Sequence, residues 1–154
     1  MLTRADYYTI PPVSQLTFDE EGQCLVSGFT VGRKGYGKIY FPGIVNVARM
    51  NIDDTVFFGY KEVTIYPDDQ NKPPFGEGLN RPAHITLDKV WPLDKSSGDI
   101  IRSPDRLKII CYKERLERAS SRLGARFIEY RPLAGSWVFK VGNYKIQIFF
   151  SRQF

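Results

Sequence analysis

The sequence predicts a mainly β domain with flanking helices, an α+β fold built as a β-sandwich or partly open barrel of mostly antiparallel strands with one long helix. Three observations carry that reading. Short runs rich in β-branched and aromatic residues recur along the chain, glycine, proline and aspartate clusters separate them, and one stretch alone keeps helical spacing. Many short punctuated strands are the pattern of sandwiches and partly open barrels.

The first element, Tyr7-Tyr8-Thr9-Ile10, runs into Pro11-Pro12. Prolines donate no ladder hydrogen bond, so this is an extended lead-in segment and not a central strand. Ser14 is placed to cap a short helix through Phe18 that ends near Gly22. Strand runs follow at Leu25 to Val31, Lys38 to Phe41, Thr55 to Phe58, Val63 to Tyr66 and Ala83 to Trp91. Between the last two, Pro67 to Pro82 has too much specific turn chemistry for a flexible linker and reads as a structured loop. Ser103-Pro104-Asp105 supplies an N-cap, a first-turn proline and a carboxylate at the positive end of the long helix. Ile109, Tyr112, Leu116, Ala119 and Leu123 are expected to face the sheet, and Gly124 to end the helix in a left-handed conformation. Trp137, Phe139 and Val141 then alternate with Val138 and Lys140 as a half-buried strand. After Gly142-Asn143 the apolar set changes phase to Tyr144, Ile146, Ile148 and Phe150, which demands a two-residue hairpin or a bulge there.

Length and composition bound the function. The 154 residues suit one domain, 1–154, with 142–154 as its C-terminal segment, and 14% aromatic content argues for folding over disorder. No run approaches the roughly 18 apolar residues of a membrane span, so no membrane insertion is expected, and the first residues lack a signal-peptide pattern. Cys24 and Cys111 are expected as two buried free thiols. Two Cys and one His offer too few ligands for structural zinc, so neither metal nor cofactor is expected. A net charge of +5 permits acidic or RNA partners without requiring them.

Candidate motifs for ordinary enzyme chemistry fail. Gly32-Arg33-Lys34-Gly35-Tyr36-Gly37-Lys38-Ile39 nearly spells a phosphate-binding loop, but Ile39 lacks the magnesium-binding hydroxyl and a strand follows instead of a helix. A glycine-rich hairpin explains it, leaving Arg33, Lys34 and Lys38 for surface contacts. His84 shares a strand face with Thr86, opposite Ile85 and Leu87, and no nucleophile elbow accompanies it. Asp53-Asp54 and Asp68-Asp69 fall at expected turns, where adjacent carboxylates point apart.

From Leu2 to Val141 the chain resembles one family, the C-terminal autoproteolytic domain of the GLFG-repeat nucleoporins of the nucleoporin-98 type. The resemblance lies in Tyr7-Tyr8-Thr9-Ile10-Pro11, Val31-Gly32-Arg33-Lys34-Gly35-Tyr36-Gly37, and Lys72-Pro73-Pro74-Phe75-Gly76-Glu77-Gly78-Leu79-Asn80-Arg81. It continues through Ser103-Pro104-Asp105-Arg106-Leu107, Glu129-Tyr130-Arg131-Pro132 and Gly135-Ser136-Trp137-Val138-Phe139-Lys140-Val141. It implies a β-sandwich-like fold flanked by helices, location at the nuclear pore complex of the nuclear envelope, and an anchoring role in mRNA and protein transport. It implies as partners the amino-terminal segment of the co-translated partner nucleoporin and a β-propeller nucleoporin. Family members cut themselves after His-Phe and before Ser, and the cut end lies in a groove where other nucleoporin segments compete.

Such cleavage needs a hydroxyl just after the scissile peptide and a base to take its proton. Aligned without gaps from Trp137, this chain has Asn143 for the His, Tyr144 for the Phe and Lys145 for the Ser. Asn is no base near neutral pH, and Lys145 has no hydroxyl, so self-cleavage is expected to be lost. The fallback is an active serine autopeptidase cutting at Phe150-Ser151, with Phe149 where the His would stand. Expected partner-binding residues are Arg33, Lys34, Tyr36, Lys38, Tyr144, Ile146, Ile148 and Phe150. A third reading is weak RNA binding through Arg33, Lys34, Lys38 and the stripe Lys108, Arg115, Arg122.

Overall fold

The computed structural model describes residues 2–142 and the backbone of Gln147–Phe149. Strands β1 (Tyr7–Ile10), β2 (Leu25–Ser27), β3 (Thr30–Arg33), β4 (Gly37–Tyr40) and β5 (Ile44–Asn46) precede helix α1 (Ile52–Thr55). Then come β6 (Val56–Gly59), β7 (Glu62–Ile65), β8 (Ala83–Leu87), α2 (Pro104–Ile109), α3 (Tyr112–Arg122), β9 (Arg126–Arg131), β10 (Ser136–Val141) and β11 (Gln147–Phe149). A six-stranded sheet runs β1-β3-β4-β8-β10-β9, a three-stranded sheet β11-β7-β6, and β2 pairs β5 alone. Every described strand pairing is antiparallel. This is the α+β arrangement expected, and its sheets do not close into a barrel.

β10 lies between β8 and β9, and its Trp137 and Phe139 rings, 4.4 Å apart, sit fully buried at the centre of the core. The Trp137 indole N–H donates to Ser120 Oγ (3.0 Å), which itself donates to the Leu116 carbonyl (2.9 Å). That relay satisfies a buried polar edge and fastens α3 to the sheet. Buried side chains of the large sheet, of β6 and β7, and of α2 and α3 form one apolar cluster.

The glycine-rich segment is the tight hairpin expected between β3 and β4. Gly37 is irreplaceable there, because a Cβ would lie 2.1 Å from the Thr86 carbonyl oxygen. β1 is an edge strand, in keeping with its following prolines. Ser103 caps α2 with Pro104 behind it, Gly124 takes φ +71° at the end of α3, and Arg81 pins the loop before β8 by bonding the Gly78, Gly76 and Ile44 carbonyls.

Several expectations need correction. The single long helix is two helices, broken at Cys111, whose backbone is left-handed (φ 55°). In one continuous helix Leu107 and Tyr112 would point about 140° apart; the break lets both turn inward, and both are buried. Ile109 and Leu123, expected against the sheet, are 78% and 40% exposed. Cys24 is buried as expected, but Cys111 lies exposed at the break. The run Leu25 to Val31 divides at Gly28 (φ +67°) into β2 and β3, which join different sheets. The helix after Ser14 is only a 3-10 turn, Val13–Gln15, with no side-chain cap, and Phe18 is 62% exposed. Asp53 and Asp54 lie in α1, where Asn51 accepts from the Asp53 amide (3.1 Å).

Candidate functional site

The phase change after Gly142 marks departure from the sheet. Both edges of β10 are occupied, so a hairpin partner there has no ladder to join; the chain instead reappears as β11 on the free edge of β7. Gln147 pairs with Thr64, Ile148 with Val63, and Phe149 with Glu62. The expected two-residue hairpin and bulged continuous strand are both replaced by this crossing between sheets.

The opposite edge of the small sheet, along β6, is closed by side chains. Arg4 Nη2 donates to the Ile52 and Val56 carbonyls (2.9 and 2.8 Å), and its Nε bonds Asp53 (3.1 Å). The Phe58 amide donates to Tyr7 Oη (2.8 Å), and Arg33 donates to the Phe58 carbonyl. The two guanidinium groups also lie over the Tyr7 ring, Arg4 at 3.6 Å and Arg33 at 5.5 Å from its centroid. These groups satisfy backbone that would otherwise invite another strand. Anchoring carboxylates complete the cap. Asp6, hydrogen-bonded by Arg33 Nε at 2.6 Å, is held below the usual carboxylate range by that bond; Asp53 is held down chiefly by the Thr3 hydroxyl, then by Arg4.

Lys61, in the β6–β7 turn, is buried and donates its ammonium to the Trp91 carbonyl (2.7 Å), and burial lowers its proton affinity. It ties the small sheet to the segment following β8.

Where β10 ends, a cavity of about 520 Å³ is lined by Pro42, Pro82, Ala83, His84, Gly124, Ala125, Arg126, Lys140, Val141 and Gly142. Among these described residues none carries a hydroxyl or thiol. His84 is half-buried there with its ring 5.7 Å from that of Tyr40; desolvation, then the Lys140 charge, lower its pKa. No nucleophilic side chain stands beside this imidazole among the described lining residues.

Of the expected site residues, the described ones are Arg33, Lys34, Tyr36 and Lys38 on the β3–β4 hairpin and Ile148 in β11. Arg33 is half-buried and committed to Asp6, the Phe58 carbonyl and the Tyr36 ring, 3.8 Å away. Its Nε and Nη1 thus help close the β6 edge. Lys34 and Lys38 are exposed, and Tyr36 is half-buried beneath Arg33. The break at Cys111 puts Lys108 on α2 and Arg115 and Arg122 on α3, so the basic stripe is not continuous. Ile148 lies in β11; Asn143, Tyr144, Lys145, Ile146, Phe150 and Ser151 lie outside the described residues. Sequence reasoning passed over Arg4, Tyr7 and Lys61. Their one visible signal was aromatic and basic residues packed closely before and within β-type runs.

A family model described as Nucleoporin2, Nup98-96 autopeptidase S59, matches residues 4–146. The chain belongs to this nucleoporin autopeptidase family. It is similar to the Drosophila melanogaster nuclear pore complex protein Nup98-Nup96, 49% identical over 94% of this chain and 7% of that protein. It is 39% identical to the Caenorhabditis elegans Nup98-Nup96 over 93% of this chain and 9% of that one, so it spans a small part of either. Among solved structures, the C-terminal domain of Candida glabrata NUP116 aligns with TM-score 0.73 and 30% identity over 93% of both chains. A chain of the yeast heterotrimeric Nup82-Nup159-Nup116 complex aligns with TM-score 0.76 and 29% identity, over 92% of this chain and 98% of that one. Family membership gives the domain a nuclear pore complex role and places it at the nuclear envelope.

Proposed function

We propose that this nucleoporin domain anchors its protein in the pore by binding other nucleoporins, that it does not cut itself, and that it thereby supports transport of mRNA and protein. The observation that carries the binding half is the pairing of Gln147–Phe149 on the β7 edge. An edge that accepts the chain's own strand is competent to accept a partner's by β-augmentation. The partner strand in this reading is the amino-terminal segment of a co-translated nucleoporin, and a β-propeller nucleoporin docks alongside. Loss of cleavage follows from the chemistry of the aligned triplet: Asn143-Tyr144-Lys145 offers neither base nor hydroxyl.

Intact mass after prolonged incubation tests the catalytic half. The full-length mass is expected; a product ending at Tyr144 or Phe150 overturns it, and loss of the latter product in Ser151→Ala would assign the cut to Ser151. Pull-down with the two nucleoporin partners, using the full chain and a chain ending at Asn143, tests the binding half. Removing the internal competitor is expected to strengthen capture of the partner segment, since the full chain must first vacate its edge. Equal capture by both chains would refute strand competition at β7.

A further inference from the structure

The antiparallel register places one cross-strand row on the outer face of the large sheet: Tyr40 on β4 opposite His84 on β8, His84 opposite Lys140 on β10, and Lys140 opposite Arg126 on β9. Directly opposed residues share a face, and like charges in that relation are destabilising. Lys140 and Arg126 are exposed, yet His84, Lys140 and Arg126 form no ion pair among the described residues. All three line the cavity of about 520 Å³, whose other walls are proline, alanine, glycine and valine.

We infer that this row is a docking site for an acidic peptide segment of a protein partner, whose carboxylates bridge Lys140 and Arg126 while an aliphatic side chain enters the cavity. The site lies on the large sheet, apart from the β7 edge, and does not depend on strand exchange there. Charge complementarity carries the assignment: Lys140 and Arg126 set two positive charges one inter-strand step apart, roughly 5 Å, with no carboxylate paired to either among the described residues. Single-stranded RNA fits less well. It needs several free ring faces for base stacking, whereas the cavity walls hold no aromatic ring apart from the His84 imidazole, and Tyr40 already packs on His84 and against Gly28.

The only histidine in the chain makes this site readable. Its facing groups are Tyr40 from β4 and Lys140 from β10, with Arg126 one strand further, so no carboxylate lies directly across from it on these strands. A short oligoglutamate peptide titrated into the full-length protein should shift the His84 ring resonances and raise its pKa, because a bound anion favours the imidazolium. Lys140→Glu should weaken binding about tenfold or more while the melting temperature holds or rises, since the substitution places a carboxylate directly opposite the Arg126 guanidinium. That combination separates a lost site from a lost fold. Oligouridine binding at His84 without oligoglutamate binding would make the face a nucleic-acid surface and overturn the inference. So would unchanged His84 resonances with oligoglutamate, or undiminished binding by the folded Lys140→Glu variant.

Discussion

The two edges of the small sheet solve one problem in opposite ways. Along β6 the backbone is closed by side chains of Arg4, Tyr7 and Arg33, all from the large sheet or the segment before it. Along β7 it is closed by three residues of backbone from β11. A guanidinium clamp is fixed by its own covalent neighbours and by Asp6 and Asp53, so nothing from outside replaces it cheaply. A short strand gives back only what any other strand could supply. One edge is sealed and the other exchangeable, and only the exchangeable one is suited to recognition.

Substitutions should separate them, beginning with the clamp. Arg4→Ala strips donors from two buried-residue carbonyls and from Asp53, and about 3 kcal/mol of stability should go with them in chemical denaturation. Arg33→Ala, losing the Phe58 carbonyl and Asp6, should cost about 2 kcal/mol. Tyr7→Phe removes the acceptor of the Phe58 amide and should cost about 1 kcal/mol, read from the same curves. A chain ending at Gly142 loses the three-residue β11 ladder and should change stability by less than about 1 kcal/mol. If that shortened chain proved less stable than Arg4→Ala, the contrast between the edges would collapse.

Of the two edges, acid should attack the sealed one, while Asp94, held low by Ser96 and Arg106 elsewhere in the fold, resists to lower pH. Asp6 and Asp53 have folded pKa values below the ordinary carboxylate value of about 3.9. Their contribution is complete above that value and is lost as pH falls through the lower folded values. Denaturation midpoints should therefore hold from neutrality to about pH 4 and decline below it. Asp6→Asn should flatten part of that decline, and an unchanged profile would mean that the Asp6–Arg33 pair contributes nothing.

Much of the fold was legible where local chemistry and tertiary packing agree. The alternation around Trp137, the hairpin between Arg33 and Gly37, the cap at Ser103 and the stop at Gly124 each follow from a few adjacent residues. The break at Cys111 was not legible, because a left-handed cysteine has no local preference to announce it; the need to bury Leu107 and Tyr112 together imposes it. Gly28 did carry a signal, since glycine inside a strand pattern often marks a change of direction. The site was harder still. Periodicity says which face of a strand is wet but not which strand lies beside it, and Arg4, Arg33 and the Lys140 row acquire their roles from pairings made across the chain.

The position of β10 has a consequence for how the domain comes into being. Its neighbours β8 and β9 are joined to each other only through it, and it delivers Trp137 and Phe139 to the middle of the core. During synthesis, β9 therefore cannot join the large sheet, nor the core receive its central rings, until Ser136–Val141 arrives. Non-local pairing of this kind forms slowly, and it makes closure of the large sheet a nearly all-or-none event timed to the emergence of β10. A ribosome that stalls before Trp137 leaves a chain with two unmatched sheet edges and no centre.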